Sequence, residues 1–246
     1  MIEKISSETL QEKAYRAIRD SIVRNALLPN EAISIDALAK ILGISATPVR
    51  EALARLSADG LVQLNAHRPP RVSDISEDDV REVYEVRRLL EPYVVRIVVD
   101  FVSRDPDLRW ALGKLRREAE RARELATQPI RDPTAVRDAV VKTDLDLQDL
   151  MERALGETLL GKSLSFVGSH ALRIRGFAET VAGEEDPSIS QAITEDHCRI
   201  LDALWSGSPD EASTAVLSHL DSAEKRTLDA AKKWHVNSRE ERSESR

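Results

Sequence analysis

Between residues 7 and 25 the apolar positions Leu10, Ala14, Ala17, Ile18, Ile22 and Val23 return every three or four residues, and Pro29 closes the segment. That is the period of a helix with one buried face. Residues 34–62 carry two shorter patterns of the same kind. Leu38, Ala39, Ile41 and Leu42 form the apolar side of the first, and Gly43 can take the left-handed conformation that stops it. Ser45 or Thr47 can cap the second, and Pro48 falls in its first turn, where a missing N–H costs nothing. Val49, Ala52, Leu53 and Leu56 then repeat until Asp59-Gly60 ends the run. Val62-Gln63-Leu64 and Arg71-Val72-Ser73, joined by residues 65–70, read as two short strands. The pattern predicts a helix, a helix-turn-helix and a small β wing, with His67, Arg68 and Arg71 on an exposed basic loop that can reach a nucleic-acid backbone.

From Ser76 onwards every pattern is helical. Helices are expected near 76–102, 106–126, 132–154, 157–182, 187–206 and 209–232, separated by Pro- and Gly-containing breaks. The predicted fold class is mainly α: a winged helix-turn-helix over residues 1–75 and an antiparallel all-α bundle over 76–232. Residues 233–246 are charged and Ser-rich, and are expected to be a disordered tail.

Four bundle helices turn a polar group onto an apolar stripe. Val80, Val83, Arg87, Leu90, Val94, Ile97 and Phe101 form the first such stripe, and Val136, Val140, Asp144, Leu147, Met151 and Ala154 the second, with Gln148 one turn beyond Asp144. Ile193, His197, Ile200 and Leu204 give the third, and Ala212, Val216, His219 and Ala223 the fourth. An inward charge needs a partner. His197 and His219 lie about equally far from the turn at 206–209, so in an antiparallel hairpin rising about 1.5 Å per residue they stand level.

Charge and composition narrow the partners. Residues 1–75 hold 10 Lys/Arg against 9 Asp/Glu, leaving net −8 to the remainder of a chain whose total is −7. A DNA face therefore belongs to the first part only. Cys198 is the single cysteine, which excludes an intrachain disulfide and suits a reducing compartment. The opening MIEKISSETLQEK lacks the apolar core of a leader, and Glu91, Arg96 and Asp100 interrupt the greasiest region, Leu89 to Val102. A cytoplasmic protein with no membrane span is expected.

The run ISATPVREALARLSADGLV resembles the GntR family of bacterial transcription regulators, whose recognition helix typically opens Ser-x-Thr-Pro-Val-Arg-Glu-Ala-Leu. The resemblance implies that Ser45, Thr47 and Arg50, with Arg55 further along, meet the major groove of double-stranded operator DNA. It also implies a homodimer reading inverted half-sites. Ala46 stands where many members carry arginine, and Asn30-Glu31 replaces a usual Pro-Gly. Wing turns of the family usually contain glycine, and Pro69-Pro70 stands in this one.

RRLLEP at 87–92, DLDLQDLMERALGETLL at 144–160 and DHCRILDAL at 196–204 resemble the FCD-type ligand domain of the FadR subfamily. By that resemblance Asp144, His197 and His219 are ligands of a divalent metal (Zn, Ni or Mn), and Arg87 faces a small carboxylate effector. Gln148 takes the place of the family's fourth ligand, a histidine, and offers only a neutral amide oxygen. Gln148 and Arg173 are further candidates for the effector pocket, with His170 and Arg175 on the same helix as Arg173. The function implied is a regulator rather than an enzyme. The alternative, a metal-dependent hydrolase on a helical bundle, lacks His-Glu-x-x-His, a phosphate loop and a nucleophile elbow here.

Overall fold

The first helical period folds as α1 (Leu10–Val23), the next two as α2 (Ile35–Leu42) and α3 (Ala46–Ala58), and the wing as β1 (Val62–Gln63) and β2 (Arg71–Val72). This computed structural model describes residues 9–128, 132–182 and 187–244. The strands pair antiparallel with Val62 opposite Val72, so both valines face inward. Ala14, Ile18, Ile22, Val49, Ala52, Leu53, Leu56, Leu61, Val62 and Val72 form one core. α3 is its hub, packed on α1 and α2. Two positions assigned to this face by period lie outside it, since Leu10 is half exposed and Ile41 is 78% exposed.

Each turn has a local cause. Gly43 caps α2 with φ +67°, a left-handed geometry that costs glycine nothing. Asn30 and His67 adopt φ of +66° and +63° without being glycine. Asparagine tolerates that region through local hydrogen bonding, and Asn30 is further held by its N–H donating to the Val72 carbonyl at 3.0 Å. Ser34 caps α2 by accepting the Ala37 N–H at 3.2 Å. Ser34→Ala should therefore lower stability by about 1 kcal/mol, read as an earlier midpoint in urea unfolding; an unchanged midpoint would remove the cap from the account.

Six further helices follow among the described residues: α4 (Glu77–Arg104), α5 (Pro106–Thr127), α6 (Pro133–Leu155), α7 (Leu159–Ala182), α8 (Pro187–Ser206) and α9 (Pro209–Glu244). α5 and α6 start on Asp-Pro, with Asp105 and Asp132 accepting backbone N–H groups of the first turn. α4 packs chiefly on α9, α5 on α6 and α8, and α8 on α9. The chain divides into two units. One runs to Ser76 and includes the α7 segment Leu172–Phe177; the other holds Glu77–Ala171 and Ala178–Arg246. Helix α9 continues to Glu244, where disorder was expected from residue 233. Within that stretch the Arg and Glu residues at 239–242 have good helix propensity, which helps a helix already nucleated by packing upstream to continue.

The buried face of α4 is Val80, Tyr84, Arg87, Glu91, Val94, Val95, Val98, Val99 and Val102. It is rotated from the expected stripe: Leu90 and Ile97 are only half-buried and Phe101 is exposed. The inward Arg87 is retained, and a second charge, Glu91, accompanies it.

Candidate functional site

Two groups of the expected residues can be followed, one in each unit. In the first, Ser45 occupies the N-cap of α3 but its hydroxyl makes no cap bond. Ser45, Thr47 and Arg50 are all exposed at the start of that helix. The unsatisfied N–H groups of a helix start and its dipole favour an anion there. His67 and Arg68 are exposed on the wing turn.

Two neighbours depart from expectation. Arg55 is held on α1: its Nη1 donates to Glu12 Oε2 at 2.5 Å, and its guanidinium carbon lies 3.9 Å from the Tyr15 ring centre. Arg71 Nη1 donates to the Asn30 carbonyl at 2.7 Å, fastening the wing to the segment before α2. Both side chains thus make contacts within the unit, and both remain exposed.

In the second unit Asp144 on α6, His197 on α8 and His219 on α9 bring one donor atom each within 4.8 Å of the others. His197 Nε2 lies 3.7 Å from Asp144 Oδ1, and the imidazole centres are 5.2 Å apart with planes tilted by 44°. The hairpin of α8 and α9 thus sets the histidines level, as their equal distances from the turn require. Both are buried, while the Asp144 side chain keeps 18% of its surface exposed. Two imidazoles and one carboxylate form a donor set that suits zinc, nickel or manganese, one ligand short of a four-coordinate shell.

Arg87 lies in the same unit at 4% exposure. Its Nε donates to Glu91 Oε1 at 2.5 Å, and its Nη2 to Oε2 at 3.4 Å. Nη1 is buried without a hydrogen-bond partner among the described residues. Burial works against the charged guanidinium, but Glu91 first, then Tyr84 and Asp144, outweigh it and hold the pKa above its ordinary value. The sequence pattern alone does not single out Asp196. It is buried, its Oδ2 lies 3.9 Å from His219 Nδ1, and Arg199 pairs with it at 2.9 Å. Burial pushes its carboxyl pKa up.

Gln148 and Arg173, the further candidates for the effector pocket, lie in different units. Gln148 Nε2 donates to Glu152 Oε1 at 2.8 Å along α6, and its amide fills space that a side chain at Gly168 would occupy. Arg173 is buried in the first unit, donating to the Ser73 carbonyl, while its own carbonyl accepts from Asn25 Nδ2 at 3.2 Å. The His170 and Phe166 rings meet at a tilt of 60° with their centres 4.9 Å apart. The signal that could have found Glu91 and Asp196 is their spacing, one turn after Arg87 and one residue before His197.

A winged helix joined to a helical unit with a buried Asp/His/His cluster defines a class of ligand-responsive DNA-binding protein. The chain belongs to the GntR family of bacterial regulatory proteins, whose model matches residues 10–72, and carries an FCD domain over residues 82–222. It is a transcriptional regulator of that family. It is 26% identical to the HTH-type transcriptional regulator YdhC of Bacillus subtilis (strain 168) over 84% of this chain and 86% of that protein. A regulator in the TAR-I ttuE-ttuC' intergenic region of Agrobacterium vitis is 38% identical over 36% of this chain, and the match spans about half, 52%, of that relative. The fold is also similar to that of Escherichia coli McbR/YncC, with TM-score 0.71, 17% identity and coverage of 93% of this chain and 100% of that one. No helix among the described residues is long and apolar enough to cross a membrane.

Proposed function

We propose that this regulator binds operator DNA as a cytoplasmic homodimer, through Ser45, Thr47 and Arg50 at the start of α3 with His67 and Arg68 on the wing, and releases or tightens that grip when the bundle takes up a small carboxylate. Two copies related by a two-fold axis would present their α3 helices to successive major grooves roughly 34 Å apart. Asp144, His197 and His219 are the residues that would hold a divalent metal, which supplies a positive centre for a carboxylate when bound. Arg87 offers its unoccupied Nη1 to the same anion. The observation that carries the reading is the meeting of Asp144, His197 and His219 inside the helical unit of a GntR-family chain.

The test is fluorescence anisotropy of the full chain on its own upstream DNA, with and without nickel, across a panel of small organic acids. The expected result is specific binding shifted by at least one acid. Failure to distinguish upstream from unrelated DNA would overturn the operator part, and an inert panel would overturn the effector part. Light scattering that shows a monomer both free and on DNA would end the homodimer part.

A further inference from the structure

A cleft of about 320 Å³ lies between α5 and α8, and neither Arg87 nor any member of the Asp144, His197 and His219 cluster lines it. Its walls meet in one antiparallel register. Arg116 Nε donates to Asp202 Oδ1 at 2.9 Å, the Cys198 thiol lies 3.9 Å from Glu120 Oε2, and a turn beyond the cleft Arg123 pairs with Glu195 at 3.4 Å. The same register sets Arg117 opposite Leu201, a charge against an apolar side chain that is fully buried. Gly113 closes one end. A Cβ there would stand 3.2 Å from the Trp205 ring and 3.7 Å from Arg117 Nη1, so the missing side chain lets ring and guanidinium flank one space.

The arginines of this seam differ in what they hold. Arg109 lies 3.8 Å over the Trp205 ring and donates to the Trp205 carbonyl, Arg116 takes Asp202, and Arg123 takes Glu120 and Glu195. Arg117 is exposed and makes no hydrogen bond or ion pair among the described residues. Four arginines thus meet three carboxylates along the seam, leaving one positive charge on the wall of the cleft. The surplus is local: α5 holds six Lys or Arg against four Asp or Glu, while residues 76–246 as a whole are net −8.

We propose that the α5–α8 cleft is a second small-molecule site, separate from the inner cluster, which takes an aromatic carboxylate with its ring against Leu201 and Trp205 and its anionic end on Arg117. The charge follows from the count, since one carboxylate neutralises the seam and a guanidinium fork suits it. The flat apolar body follows from the walls, a leucine and an indole. The volume stands at the small end of ligand sites, which run from about 300 to 1,000 Å³, so one or two rings suit it. The site needs no metal, and it holds whether or not the inner cluster binds one.

The experiment is calorimetry on the full chain after chelator treatment and dialysis, titrating 2-naphthoate, with acetate as the anion lacking a ring and 2-naphthamide as the ring lacking a charge. Wild type should bind 2-naphthoate and should bind the two controls far more weakly. Arg117→Gln should weaken 2-naphthoate by about tenfold or more, the worth of a hydrogen bond to a charged group, with the urea midpoint unchanged because Arg117 holds no other residue. His219→Ala should bind 2-naphthoate as wild type does. Wild type that binds no 2-naphthoate at millimolar concentration, or the same isotherm from Arg117→Gln, would overturn the site. Equal binding of 2-naphthamide would overturn the assignment to an anion. Binding lost in His219→Ala and kept in Arg117→Gln would place the acid at the inner cluster and overturn the cleft.

Discussion

His219→Ala is expected to remove divalent-metal binding almost entirely and to blunt any response of DNA binding to a small acid. The argument is one of ligand count. Asp144, His197 and His219 are three converging donors, so losing one leaves a pair that competes poorly with water. Outer partners of a metal site are worth about 10–100-fold in affinity, and a direct ligand should exceed that range. Gln148→His should act in the other direction by offering an imidazole one turn from Asp144. That gain requires the new side chain to abandon the position from which Gln148 contacts Glu152 and fills the gap over Gly168. Elemental analysis of protein purified without chelator, together with nickel titration of wild type and both variants, gives the comparison. Equal nickel affinity in wild type and His219→Ala would remove His219 from the ligand set, and no nickel uptake by wild type would turn the cluster's members into direct contacts for an acid.

Much of this architecture was legible because a few residues have little conformational choice. Gly43, Pro48 and the Asp-Pro pairs at 105–106 and 132–133 mark helix boundaries whose physical cause is local, and the structure places boundaries there. The inward histidines were equally legible, since each sits among aliphatic residues at helical spacing. The face of α4 was harder. Leu90 or Glu91, Ile97 or Val98 and Phe101 or Val102 all complete a period of three or four; only the first pair sets an apolar residue against a charge, and choosing Leu90 there carries the later steps onto the wrong stripe. Burying Glu91 is tolerable only because Arg87 is beside it, a pairing that a pattern of hydrophobic residues does not contain. Long side chains escaped for a related reason. Position on a helix or strand says where Arg55, Arg71 and Arg173 begin, while the acceptors that hold them, on Glu12, Asn30 and Ser73, are distant in sequence. The wing turn, which has no glycine, places His67 at the positive φ.

Arg50→Ala should weaken operator binding by on the order of 1–3 kcal/mol, or about 5- to 150-fold, whereas Arg55→Ala should leave the affinity of the folded protein nearly unchanged. The two arginines share α3, but their surroundings differ. Arg50 is exposed in the first turns of α3, where side chains of a recognition helix meet base edges and phosphates. Arg55 lies on Tyr15 and pairs with Glu12, so its removal acts on the packing of α1 against α3. The pair is half exposed, which limits its worth to about 1 kcal/mol or less, and the ring contact adds roughly 0.5–1 kcal/mol. Arg68→Ala belongs to a third class, because an exposed wing cation that meets a phosphate should mainly flatten the dependence of binding on salt. Anisotropy at two salt concentrations, beside urea unfolding of each variant, separates the three. Should Arg55→Ala lose affinity at full stability while Arg50→Ala retains it, the DNA-facing side of α3 lies one and a half turns further along, and the pair with Glu12 opens on binding.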